Sequence, residues 1–137
     1  MSNVLFDPSL VGIDVNAAYL PNHSSPDDDQ YTFAYTITIR NDSELPVQLL
    51  SRHWIITDAD NEVQEVRGDG VVGEQPIIQP QESFQYTSGA TLTTPVGCME
   101  GSYFMVVREP MEIDPHRLPT FQVPVPAFSL HTPTALN

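Results

Sequence analysis

Residues 31–40 alternate without a break: Tyr31, Phe33, Tyr35, Ile37 and Ile39 stand against Thr32, Ala34, Thr36, Thr38 and Arg40. A strict period of two in aromatic and β-branched residues describes a strand with one buried face, and it cannot present a helical stripe. No stretch of the chain places apolar residues at i, i+3, i+4 and i+7. The whole sequence is therefore constrained to β structure.

Further strands follow from the same pattern and from the turn residues between them. A first strand is expected around Leu10 to Tyr19. An exposed, acidic loop over residues 21–29 comes next, with Pro21, Pro26 and the run Asp27-Asp28-Asp29. After the alternating strand, Asn41-Asp42-Ser43-Glu44 reads as a turn into a strand over residues 47–57. Asp58-Ala59-Asp60-Asn61 then turns into a strand over residues 62–67. Trp54, the single tryptophan, is a core anchor on this reading, with its neighbour His53 on the opposite face. Pro76 and Pro80 bracket a short extended Ile77-Ile78, and residues 82–86 alternate again.

Residues 102–109 are apolar at successive positions, as in a central strand buried on both sides or nearly so. The proline-studded segment 118–130 reads as an edge strand or one with an irregular middle, because Pro119, Pro124 and Pro126 cannot donate to a ladder. Residues 131–137 read as a frayed tail. Together these features predict one domain over residues 1–137. Its fold class is all-β, an immunoglobulin- or fibronectin-III-like sandwich of about seven to eight antiparallel strands.

Charge narrows the function. Eighteen acidic residues against five arginines and no lysine give a formal charge of −13. Phosphate backbones and anionic lipids are bound by clustered Lys and Arg, so neither nucleic acid nor a membrane surface is an expected partner. The first sixteen residues carry Asp7 and Asp14, no basic start and no uninterrupted apolar run. Neither a signal peptide nor a membrane span is expected, and the cytoplasm is the expected compartment. Cys98, the single cysteine, has no base beside it and the acidic Glu100 two residues on, which disfavours a nucleophilic thiol. His23, His53, His116 and His131 show no metal-ligand spacing, and the Asp27–Asp29 run lacks the alternate spacing and turn glycine of a calcium loop. No catalytic constellation, metal site or cofactor is expected.

Six of the seven glycines fall within residues 68–103, a clustering that marks specialised loops. Gly68-x-Gly70-x-x-Gly73 has the spelling of a dinucleotide fingerprint. The residues after it, Glu74-Gln75-Pro76, cannot open the helix that a Rossmann site requires. Two readings remain. Successive glycine amides can curl into an anion-binding nest, with Arg67 as a phosphate ligand beside Gly68, Gly70 and Gly73. The alternative is a tight inter-strand loop, favoured by the negative charges of Asp69 and Glu74 in the same segment.

The pattern GxGVVGEQPxIxP over Gly68 to Pro80 is followed by FxYTSGxxLxTPxGxMxGxY over Phe84 to Tyr103 and by Pro126, Phe128 and Leu130. With Arg52-His53-Trp54-Ile55-Ile56-Thr57-Asp58 upstream, this resembles the ApaG family along nearly the whole chain. The resemblance implies a fibronectin-III-like sandwich, no established catalytic residues, and a non-enzymatic, protein-binding role. In bacterial relatives that role is associated with cobalt and magnesium homeostasis under the name CorD. It also implies pyrophosphate or a nucleotide as an alternative ligand of the glycine loop and, more distantly, hydrolysis of nucleotide polyphosphates. A monomer or a homodimer is compatible with it. The chain departs from typical members in Asp27-Asp28-Asp29, in the absence of lysine, and in Gln81, where a glycine commonly follows the proline.

Overall fold

The computed structural model describes residues 6–108 and 120–134. The expected connection around Pro110 and Pro115, with His116, lies outside the described residues. The described residues form eight strands: β1 (Val11–Tyr19), β2 (Tyr31–Asn41), β3 (Val47–Asp58), β4 (Val63–Asp69), β5 (Ile77–Ile78), β6 (Ser83–Leu92), β7 (Val96–Val107) and β8 (Thr120–His131). They make two antiparallel sheets, one in the order β1-β2-β6 and one in the order β4-β3-β7-β8, with β5 paired to β3. The all-β sandwich read from the sequence is the observed fold.

The sheets meet through the inward residues of the alternating strands. Phe33, Tyr35, Ile37 and Ile39 of β2 are buried, as are Leu49, Trp54 and Ile56 of β3. Trp54 is the hub. Its ring stands edge-on to Tyr103 (6.0 Å, 84°) and to Phe128 (6.0 Å, 86°), with Tyr35 at 5.5 Å. Gly101, its cross-strand partner, makes this seat possible: a Cβ there would lie 2.1 Å from the His53 carbonyl oxygen and 3.0 Å from Trp54 Cε3.

The β2–β3 connection crosses between sheets, and Asn41 pins it. This residue reads as part of a turn in the sequence, but it ends β2 with its side chain fully buried. Its Nδ2 donates to the carbonyls of Leu45 (2.8 Å) and Ile78 (2.9 Å), and its Oδ1 accepts from Ser43 N (3.0 Å). A buried amide satisfied in this way ties β2 to β5 in the other sheet.

Four expectations need correction. Gly89, Gly97 and Gly101 lie in strands β6 and β7 rather than in loops. Strand β6 accordingly runs ten residues, well past Tyr86. Strand β7 is central and its outer face is covered only in part: Tyr103, Met105 and Val106 are buried, whereas Phe104 is 38% exposed on the outer face. Strand β8 extends through His131, and Thr132 is buried with its amide donating to the Pro95 carbonyl (3.0 Å), so the ordered chain runs into the segment read as a tail. The prolines of β8 sit as expected at a sheet edge, and a bulge opposite Met99 and Gly101 absorbs Pro126. The loop at residues 21–29 is exposed but not shapeless. It forms two short 3-10 turns, Pro21–His23 and Pro26–Asp28, the second closed by Asp29 at φ +55°.

Candidate functional site

The three glycines of the fingerprint do three different things. Gly68 lies in β4 opposite Arg52, and a Cβ on it would stand 2.9 Å from Arg52 Nη1. The bare backbone leaves room for the guanidinium, whose Nη1 donates to the carbonyls of Asp69 (3.1 Å) and Gly70 (2.7 Å). Gly70 has φ +64° and donates its amide to the Leu50 carbonyl (2.8 Å); a Cβ there would meet the Glu74 carbonyl oxygen at 2.3 Å. Gly73 (φ +81°) and Val72 (φ +43°) form the two-residue tip of a tight hairpin. Val71 and Glu74 exchange backbone bonds of 2.8 Å across it. Positive φ at both central residues is the type I′ pattern.

The amides of Gly70, Val71 and Glu74 therefore already serve carbonyl acceptors, and those of Val72 and Gly73 form the exposed tip. Arg67 does not reach the tip. Its side chain is 71% exposed and stands 3.8 Å from Glu65 Oε1. Of the four residues singled out in the sequence, Arg67 and Gly68 share one surface, while Gly70 and Gly73 belong to the hairpin beyond the end of β4. Arg52 was missed. The signal for it was present: the turn at residues 58–61 folds β3 back on β4 and brings Arg52 opposite the glycine.

Arg67 and Gly68 lie along an open groove of about 490 Å³ on the outer face of the larger sheet. The cross-strand register explains its composition. Arg67, His53, Ser102 and Pro124 form one row across β4, β3, β7 and β8; Asp69, Ser51, Phe104 and Gln122 form the next. His53 Nε2 meets Glu65 Oε1 at 3.1 Å. It bonds neither Ser51 nor Ser102, so neither serine is paired with a base in the arrangement that nucleophilic catalysis requires. On a chain of charge −13, this groove gathers Arg67 and His53 around an exposed Phe104. Such a surface can hold an anionic, partly apolar group by contact and hydrogen bonding.

Burial, and then Glu100, push the half-buried Cys98 thiol up, away from thiolate character. Among the described residues no three His, Cys, Asp or Glu side chains converge as a metal site. No helix among them is long and apolar enough to cross a membrane.

Two antiparallel sheets of three and five strands, with a polar groove on the larger one, define a fibronectin-III-like β-sandwich. Comparison with known proteins carries this to a family. The sequence profile of the ApaG domain matches residues 21–107. Protein ApaG of Ralstonia nicotianae is 55% identical over 125 residues, covering 91% of this chain and 94% of that protein. Protein ApaG of Dechloromonas aromatica is 55% identical over 119 residues, 87% of each. A crystal structure from Bordetella pertussis, described as an ApaA protein, superposes with a TM-score of 0.82 at 45% identity, over 91% of this chain and 95% of that one. The chain belongs to the ApaG family.

Proposed function

We propose that this ApaG-family protein is a non-enzymatic module that binds a protein partner in the cytoplasm, in a pathway connected with divalent-cation (Co²⁺/Mg²⁺) homeostasis. The observation that carries the reading is the outer-face groove, where Arg67 and His53 flank the exposed Phe104 on an otherwise acidic chain. An arginine and an aromatic side chain on a flat sheet face are the residue types that dominate protein interfaces. The fitting partner presents an acidic segment with an apolar residue inside it. The test is co-purification from a cell extract at mild salt, with the natural chain beside a Phe104→Ala, Arg67→Glu double variant. The expected result is a partner retained by the first and lost by the second. Absence of any partner on the natural chain, or equal retention by both, overturns the reading.

A second reading rests on Arg67 and Gly68, which line the same groove: a small anion such as pyrophosphate or a nucleotide held there, apart from Gly70 and Gly73 of the hairpin. Saturable amide shifts over residues 67–74 on titration with pyrophosphate would support it, and unchanged shifts would sink it.

A further inference from the structure

The strands that end the two sheets are protected unequally. β1 carries Asp14, β4 carries Glu65, Arg67 and Asp69, and β8 carries Pro124 and Pro126 beside a bulge. Charges, prolines and bulges are the usual devices against further strand pairing. β6 has none of them. Ser83–Leu92 includes no charged residue and no proline, and it pairs with β2 in an unbroken register.

The ladder shows which groups of β6 stay open. Thr32 of β2 accepts the Leu20 amide (2.8 Å) just beyond β1, so even-numbered residues of β2 bond toward β1 and odd-numbered ones toward β6. The odd-numbered residues lie opposite Phe84, Tyr86, Ser88, Ala90 and Leu92. Ser83, Gln85, Thr87, Gly89 and Thr91 therefore turn their N–H and C=O groups to the free edge, and all five are exposed. Gly89 stands within that row. Its φ is not positive, and a Cβ there would meet only the Phe33 carbonyl oxygen at 3.4 Å, so the fold of this chain does not require a glycine. A glycine inside a regular strand is a mark of close approach by another backbone.

The space beside this edge has the shape of one more strand. Tyr86 bonds Tyr103 of β7 across the sandwich, so β6 lies over the centre of the larger sheet. β4, two strands further out, has no strand across from it among the described residues: on its inward face Gln64 is exposed and Val66 half-buried. Between β6 and β4 opens a cleft of about 350 Å³, lined by Tyr35, Trp54 and Val66 and by Ser88 and Ala90 of β6. Toward Leu92 a smaller cleft of about 160 Å³ is lined by Asp58 and Glu62 and by no cation.

We propose that the β6 edge takes up an extended segment of a partner protein as an added antiparallel strand. Main-chain bonds to the row from Ser83 to Thr91 hold it, and alternate side chains select it. Its inward side chains are apolar where they enter the larger cleft, and a Lys or Arg at its N-terminal end meets Asp58 and Glu62. The charge of −13 favours the same basic segment. A second copy of this chain fits poorly. Two-fold pairing of two β6 edges sets both larger sheets on one side, where β4 of each already fills the space below the other's β6. The site uses none of Arg67, His53 and Phe104, and it stands or falls independently of the outer groove.

The experiment follows hydrogen exchange of the backbone amides of the full chain by NMR, with the peptide acetyl-Lys-Thr-Val-Thr-Val-Thr-amide at millimolar concentration. Separate arms use the same peptide with Glu in place of Lys, and one N-methylated at its threonines, whose amides would face β6. The expected result is slowed exchange at Gln85, Thr87, Gly89 and Thr91 with the first peptide, weaker binding of the second and none of the third. Gly89→Pro removes one edge N–H without touching the β2 ladder and should weaken binding by about tenfold. Ala90→Leu narrows the cleft and should weaken it as well, which keeps the test open if the proline variant does not fold. Unchanged exchange with the first peptide, or equal binding of the N-methylated one, overturns the proposal. So does slow exchange of these amides in the free chain: if it fades on dilution the edge belongs to a second copy, and if it persists the chain covers its own edge.

Discussion

Arg52 and Gly68 face each other across the β3–β4 hairpin, and the guanidinium of one occupies the space where the side chain of the other would begin, 2.9 Å from Nη1 to a would-be Cβ. The first glycine of the fingerprint is thus a seat for an arginine. That arginine in turn holds the two carbonyls where the strand leaves for its hairpin.

Gly68→Ala should displace the guanidinium and cost about 1–3 kcal/mol, the worth of hydrogen bonds to a charged donor. Arg52→Ala should cost a similar amount. In a double-mutant cycle by urea denaturation the two losses should overlap and not add, because both remove the same pair of bonds.

Val72 adopts φ +43° while 54% exposed, a conformation that costs a β-branched residue about 1–2 kcal/mol. Val72→Asn, which suits the first position of a type I′ turn, should raise stability by about 1 kcal/mol. Gly70→Ala should do the reverse and more, since the Glu74 carbonyl blocks it at 2.3 Å. Thermal melts of the two variants check both signs.

Asn41→Ala would orphan the Ile78 carbonyl and the Ser43 amide inside the sandwich. A loss of about 2–4 kcal/mol is expected in denaturant unfolding, since each unsatisfied buried group costs about 1–3 kcal/mol.

The hydroxyls of Tyr86 and Tyr103 bond each other in the core. Burial is the main cause that pushes both phenols up from the ordinary value of 10.0. The folded state then keeps these protons at pH values where the unfolded chain has released them. Their contribution is complete below pH 10.0 and is lost as pH rises beyond it. Stability should hold through the neutral range and then fall by up to about 1.4 kcal/mol per pH unit for each phenol. Urea midpoints measured against pH should show this slope, made shallower by Tyr86→Phe.

Much of the fold was legible in advance. The alternation of Tyr31 to Arg40 gave β2 its inward face, Asp58 to Asn61 closed the β3–β4 hairpin, and the prolines of β8 marked a sheet edge. The candidate site was less so. Arg67 attracted notice as the neighbour of the glycines, yet Arg52, fifteen positions earlier, is the residue that bonds their loop. The exposure of Phe104 is not legible in the sequence, because a run of apolar residues carries no mark of which face remains open.

By itself, the sequence determined the secondary structure, the class of fold and the family, since strand periodicity, turn chemistry and motif spelling are properties of residues close together in the chain. Only the tertiary structure decided which glycine clears space for which arginine, that Ser88 and Ala90 stand beside Trp54 across the sandwich, and that no described carboxylate pairs with Arg52. Those facts depend on register and on the stacking of two sheets, which join residues such as 35, 54 and 88 that no local pattern relates.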